Sequence, residues 1–179
     1  KLIHQPRVSQ VAEAMISHIG QAKSLLDVGA GTGEMAEIVG KEIGAQRIEG
    51  VDVKIRDGAK IPIQSYNGER LPFADKEFEV VLISDVLHHC TEPRVVLAEC
   101  LRVASRCVVV KDHLAFGRWS RLVLTAMDKV GNAEANVPVV GRYFSFEQWA
   151  EVVAAVGAKM TKFSWPLDVH ALPFRLVTK

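Results

Sequence analysis

Charge of one sign is what this 179-residue sequence most plainly lacks: 22 lysines and arginines stand against 21 aspartates and glutamates, a formal net charge of +1. A nucleic-acid binder usually carries a basic excess or stripe, so no nucleic-acid partner is expected. No apolar run reaches the roughly 18–20 residues that cross a bilayer, so no membrane span is expected either. The three cysteines, Cys90, Cys100 and Cys107, show no CxxC spacing. Cys100 and Cys107 fall in segments with helix and strand patterns. They read as small core residues in a reducing compartment, and the expected location is cytoplasmic. Metal-ligand spacing is missing as well: His88 and His89 are adjacent and cannot chelate as an i, i+4 helical pair does, so no metal is expected. Repeats and low-complexity stretches are also lacking. What is present is 49% apolar and 24% charged residues, the balance of a globular domain. The length has room for one domain with a sizeable core and not for two, so 1–179 is expected to be one unit.

Two periodicities alternate along the chain. Val8, Val11, Ala12, Met15 and Ile19 recur at helical spacing and predict a helix ending near Gly20. Ser24 to Val28 is a short apolar run that stops at a glycine cluster, the pattern of a buried strand. Met35, Ile38, Val39 and Ile43 mark a helix that Gly44 stops. Arg47 to Val51 predicts a strand ending at Asp52, and Val80 to Ile83 another. Pro93, Val96, Leu97, Cys100 and Leu101 make one helical face, and Cys107 to Val110 a further strand. Strands alternating with helices predict an α/β fold, a three-layer Rossmann-like sandwich around a mostly parallel sheet. In the tail, Ser145 and Gln148 have capping-box spacing ahead of Val152, Val153 and Val156. Met160–Trp165 and Phe174–Val177 then read as two strands with no helix between them, predicting one antiparallel strand at the C-terminal end of the sheet. Residues 112–144 form a long connection with a helix of its own (Trp119, Leu122, Val123, Ala126, Val130), the length of a lid or acceptor-binding insertion.

The glycine cluster carries the chemistry. Asp27-Val28-Gly29-Ala30-Gly31-Thr32-Gly33 ends the first strand and opens a helix. Glycines there permit a tight turn and leave bare backbone for a ligand. Asp52 closes the next strand, where a carboxylate can hold both hydroxyls of a ribose. A dinucleotide fingerprint, GxGxxG, needs a third glycine at position 34, which is Glu34. A carboxylate on the first helical turn repels a pyrophosphate. S-adenosylmethionine has no phosphate and carries a sulfonium and an ammonium, so acids such as Asp27 suit it.

Leu25 to Gly33 resembles motif I of class I S-adenosylmethionine-dependent methyltransferases. Asn67 to Glu79 followed by Val80 to Ile83 resembles the stretch around strand four of the type 11 branch, which includes ubiquinone and menaquinone methyltransferases. Val86-Leu87-His88-His89, Pro93 and Leu101-Arg102-Val103 continue the likeness over residues 20–112. The resemblance implies that Gly29, Ala30 and Gly31 touch the methionine part and that Asp52 and Val53 meet the ribose. It implies further that Asn67 and Gly68 lie at the adenine edge, with Glu69 and Ser84 also among the cofactor-binding residues. The branch usually has Asp where Asn67 stands, which predicts weaker adenine binding. The span from Asp52 to Asn67 is short, and its usual helix is expected to be missing.

Methyl transfer needs alignment of acceptor, methyl and sulfur, and a base only when the acceptor keeps a proton. Candidate bases are His88, His89 and His113, against the plainer reading that the histidine pair shapes a loop. Asp85 and Asp112 read as loop or helix-start residues, and Asp75, Lys76, Glu77 and Glu79 as a solvated turn. Phe116, Trp119, Tyr143 and Phe144 are candidates to line an acceptor pocket, against ordinary packing of the connection onto the sheet. The expected function is S-adenosylmethionine-dependent methyl transfer, with S-adenosylhomocysteine as product, to a small-molecule acceptor of apolar or aromatic character. The atom methylated and the oligomeric state stay open. Rivals are a non-catalytic S-adenosylmethionine-binding protein, a nucleotide-dependent oxidoreductase and a nucleic-acid methyltransferase. The last lacks its Asn/Asp-Pro-Pro-aromatic motif, because Ser84-Asp85-Val86-Leu87 stands there.

Overall fold

A computed structural model describes residues 4–131 and 142–166. The elements run α1 (His4–Ile19), β1 (Ser24–Val28), α2 (Glu34–Glu42), β2 (Arg47–Asp52), β3 (Ile63–Ser65) and β4 (Phe78–Ser84). After them come α3 (Pro93–Val103), β5 (Ala104–Lys111), α4 (Arg118–Gly131) and α5 (Phe146–Ala155). The five strands form one sheet in the order β3-β2-β1-β4-β5, and every pairing is parallel.

Side-chain alternation along the central strands builds two cores. Leu25, Val80 and Leu82 face one side, where they pack with Val11, Met15, Ala36 and Val39 from α1 and α2. Leu26, Val28, Val81 and Ile83 face the other, against Val96, Leu97 and Cys100 of α3 and Trp149 and Val152 of α5. Removing a Leu or Val of this kind from water is worth roughly 1.5–3 kcal/mol each. Both faces are covered, which is why these strands read as continuous apolar runs rather than alternating ones. The helix ends follow local chemistry. Ser145 accepts from the backbone N–H of Gln148 and the Gln148 side chain returns to the Ser145 N–H, a complete capping box. Gly44 and Gly157, at φ 75° and 71°, take the left-handed turns that end α2 and α5.

The expected antiparallel strand is corrected. All five strands among the described residues are parallel, and Met160–Trp165 has no strand structure. Side chains hold this segment instead of a backbone ladder. The His18 ring and the Ser164 hydroxyl lie 2.7 Å apart, and Lys162 Nζ donates to the His18 carbonyl at 3.1 Å. Phe163 meets Phe146 and Trp165 meets Phe116. A cleft of about 500 Å³ separates the segment from β5. The second expected strand, Phe174–Val177, lies outside the described residues. The stretch between Asp52 and Asn67 has no helix, as expected, but it contains the three-residue β3, which no periodicity announced. The turn around residues 75–79 is also more than solvated. Arg102 binds Asp75 at 2.8 Å, Arg47 binds Glu77 at 2.8 Å, and Lys76 Nζ donates to the carbonyls of Leu101 and Ala104.

Candidate functional site

From β1 the chain builds outward to β2 and β3, then returns to add β4 and β5 on the opposite side. The reversal lies between β1 and β4, the point at which open α/β sheets bind ligands beyond the strand ends. The glycine loop sits there. Gly29 and Ala30 donate to the Val51 carbonyl at 2.8 and 3.1 Å, and Gly31 donates to Asp52 Oδ2 at 2.8 Å. Gly29, Gly31 and Gly33 all have positive φ, but they serve two ends. A Cβ on Gly29 would collide with Val86, and one on Gly33 with Ile61. Those two glycines let the chain pack against itself. Gly31 is open apart from Arg56, whose guanidinium lies 3.8 Å from where its Cβ would stand, so its bare face is the one left for a ligand.

Two carboxylates border that face. Asp52 is 7% exposed. Its Oδ2 and Oδ1 accept from the backbone of Gly31 and Lys54 at 2.8 and 3.0 Å, which fixes the carboxylate and leaves each oxygen a lone pair for a hydroxyl. Asp27 is 3% exposed. Burial, and after it the neighbouring charge of Asp52, pushes its pKa from 3.8 up to about 7. Val53 is exposed and touches the turn at Gly68, whose φ is 83°. Asn67 Oδ1 accepts from the N–H groups of Glu69 and Arg70, both at 3.0 Å. That oxygen holds the turn in place, and an adenine amine would compete with two backbone donors for it.

Across the switch point a second cluster closes the site. Ser84 ends β4 in register with Lys111 of β5. The next residue, Asp85, takes φ 56° and is bound by Lys111 Nζ at 2.6 Å. His88 lies in a one-turn helix, Leu87–His89, and is 1% exposed. Its Nδ1 is 2.6 Å from Asp112 Oδ1, and Asp112 also accepts from the backbone N–H groups of His88 and His113 at 3.2 and 2.7 Å. The ring of His88 lies 4.0 Å from His89, 5.1 Å from His113 and 5.4 Å from Tyr143, the last nearly parallel. Burial pushes the His113 imidazole from 6.5 down to about 4, against the pull of Asp85. A neutral imidazole of that basicity holds a proton poorly at pH 7. Asp85, His88 and Asp112 each offer a ligand atom, all within 4.8 Å of one another. Lys111 and the two backbone N–H donors already serve the two carboxylates.

The family model for a methyltransferase domain matches residues 26–106. An uncharacterized protein of Methanocaldococcus jannaschii is 35% identical over 94 residues, 52% of this chain and 45% of that protein. The demethylmenaquinone methyltransferase of Thermotoga maritima is 29% identical over 94 residues, 47% of this chain and 40% of the enzyme. The chain therefore spans under half the length of the curated relatives it matches. Among solved structures, the YcgJ protein of Bacillus subtilis superposes with a TM-score of 0.64 at 22% identity, over 86% of this chain and 68% of that one. At that identity the likeness is one of fold.

The aromatic candidates of the 112–144 connection take different places. Trp119 is 80% exposed and Leu122 also faces outward, while Ser120 and Leu124 face inward. Phe144 packs edge-on to Trp149 against the core. Tyr143 is 3% exposed, stacks on His88 and donates to the Leu124 carbonyl at 3.2 Å. Of the four aromatics, Tyr143 alone joins the histidine cluster. The ends of β4 and β5 also hold pairings that the sequence pattern did not announce, Asp112 with His88 and Lys111 with Asp85. Both join the ends of β4 and β5, and only the knowledge that these strands are neighbours would have revealed them.

Proposed function

We propose that this chain transfers the methyl group of S-adenosylmethionine to a small, apolar or aromatic acceptor. The observation that carries the reading is the backbone-only face of Gly31, bordered by a fixed Asp52 and a buried Asp27 at the sheet's switch point. The residues present suit the cofactor: Asp52 offers acceptors to ribose hydroxyls, Asp27 offers a carboxylate to a cation, and no phosphate has to face Glu34. When bound, the cofactor supplies a methyl carbon activated by the sulfonium, which keeps the bonding electron pair as the acceptor attacks. The chain's part is to align and to exclude water. Asp112 accepts a hydrogen bond from His88 Nδ1–H, which leaves Nε2 as the basic nitrogen of the ring. His89 and His113 border the same space. Tyr143 stacks over His88 in the same cluster. The depth of His88 and the weak basicity of His113 favour a second reading in which the acceptor needs no base.

Calorimetric titration tests the cofactor. S-adenosylhomocysteine should bind, and NAD and NADP should not compete with it. Comparable NAD affinity would sink the proposal.

A further inference from the structure

The acids around the glycine loop explain a cationic ligand but leave one charge of that ligand unanswered. The amino-acid end of S-adenosylmethionine carries a carboxylate as well as an ammonium. Asp27, Glu34, Glu37 and Asp52 all stand in or beside the loop and the first turns of α2, and acids offer that carboxylate no counter-charge.

The short connection after β2 brings a cation to this place. Residues 53–62 fold back over the loop. Lys60 donates its N–H to the Thr32 carbonyl at 2.8 Å, Ile61 fills the space beside Gly33, and the Asp52 carboxylate grips Gly31. Between these anchors Arg56 extends over Gly31, with Cζ and Nη1 each 3.8 Å from the position a Cβ would take. Of the nearby cations, Lys41 is engaged by Glu37 at 2.7 Å, the charge of Lys60 acts on the same carboxylate, and Lys54 has a partner of its own. The Arg56 guanidinium makes no hydrogen bond or ion pair with another of the described residues. It is also the group suited to a carboxylate, a planar fork that donates two parallel bonds.

Resting on the cofactor reading above, we propose that Arg56 binds the α-carboxylate of S-adenosylmethionine, opposite Asp27. The zwitterionic end then lies along Gly29–Gly31 between an acid below the loop and a guanidinium above it. The site thereby selects for an intact amino-acid end rather than for the nucleoside alone.

The test is calorimetric titration of S-adenosylmethionine and of its decarboxylated form, which differs by the carboxylate alone. Wild type, Arg56→Gln and Arg56→Lys are compared. Arg56→Gln should weaken S-adenosylmethionine about tenfold and leave the decarboxylated form within about twofold, with Arg56→Lys recovering part of the loss. Equal losses for both ligands, or no loss for S-adenosylmethionine, would overturn the role of Arg56 and leave the cofactor reading standing. A wild-type protein that binds neither ligand would overturn both.

Discussion

The two halves of the candidate site are built by different means. On the glycine side, residues 27–69 form the whole surface, and its shape is set by backbone. Left-handed glycines, N–H groups on the Val51 carbonyl and a carboxylate held by two further N–H groups fix it. On the histidine side the surface is assembled from side chains of three separate stretches, 84–89, 111–113 and 142–144. A cradle made of one contiguous stretch recognises what is common to a family. An assembly of distant side chains can vary one residue at a time, which suits the part that meets a particular acceptor.

The largest expected effect sharpens the electrostatic character of the glycine side. The folded chain keeps the Asp27 proton up to about pH 7, whereas the ordinary carboxyl value is 3.8. Burial of Asp27 therefore costs stability progressively as pH rises from about 4 to 7, and the full cost persists above that. His113 works in the opposite sense: its value falls from 6.5 to about 4, so it costs stability as pH drops through that range. Asp27→Asn removes the first cost only. Its stability relative to wild type should improve from pH 4 to pH 8, by at most about 4 kcal/mol for a shift of roughly three pKa units. Chemical denaturation at the two pH values measures this, and a pH-independent difference would show that Asp27 is not held protonated.

A smaller contrast tries to break the histidine side apart. Tyr143→Ala deletes a buried ring stacked on His88 and should cost roughly 3 kcal/mol. Trp119→Ala removes an exposed ring on the same connection and should stay within about 0.5 kcal/mol. Similar losses from both, measured by urea unfolding, would mean that the connection does not divide into an anchored root and an outward face.

The sequence revealed most of what local chemistry decides. The runs of β1, β2 and β4, the apolar faces of α1, α2 and α3, and the capping box of α5 all followed from period and cap residues. Three residues at the edge of a sheet have no period, so β3 passed unnoticed. On α4 apolar residues lie on both sides, and spacing alone chose Trp119 and Leu122 where the inner face carries Ser120 and Leu124. The tail run 160–165 has strand-like composition, but its contacts go through side chains to α1, to Phe116 ahead of α4 and to α5, not through a ladder. The Asp112–His88 pairing depends on which strands are neighbours, information that no local pattern holds. The place of Asn67 in a motif likewise gives no hint that its oxygen accepts two backbone N–H groups of the turn it opens.

Asp52 links the loop backbone to the hydroxyl-binding role on which the account depends. The most direct measurement is the dissociation constant of S-adenosylhomocysteine for wild type and Asp52→Ala, with circular dichroism as the check on the fold. Loss of charge-assisted bonds worth roughly 1.5–3 kcal/mol each, partly compensated by water, predicts affinity lower by about tenfold or more in a folded variant. An unchanged constant in that folded variant would contradict the assignment of this edge of the sheet to the cofactor's ribose.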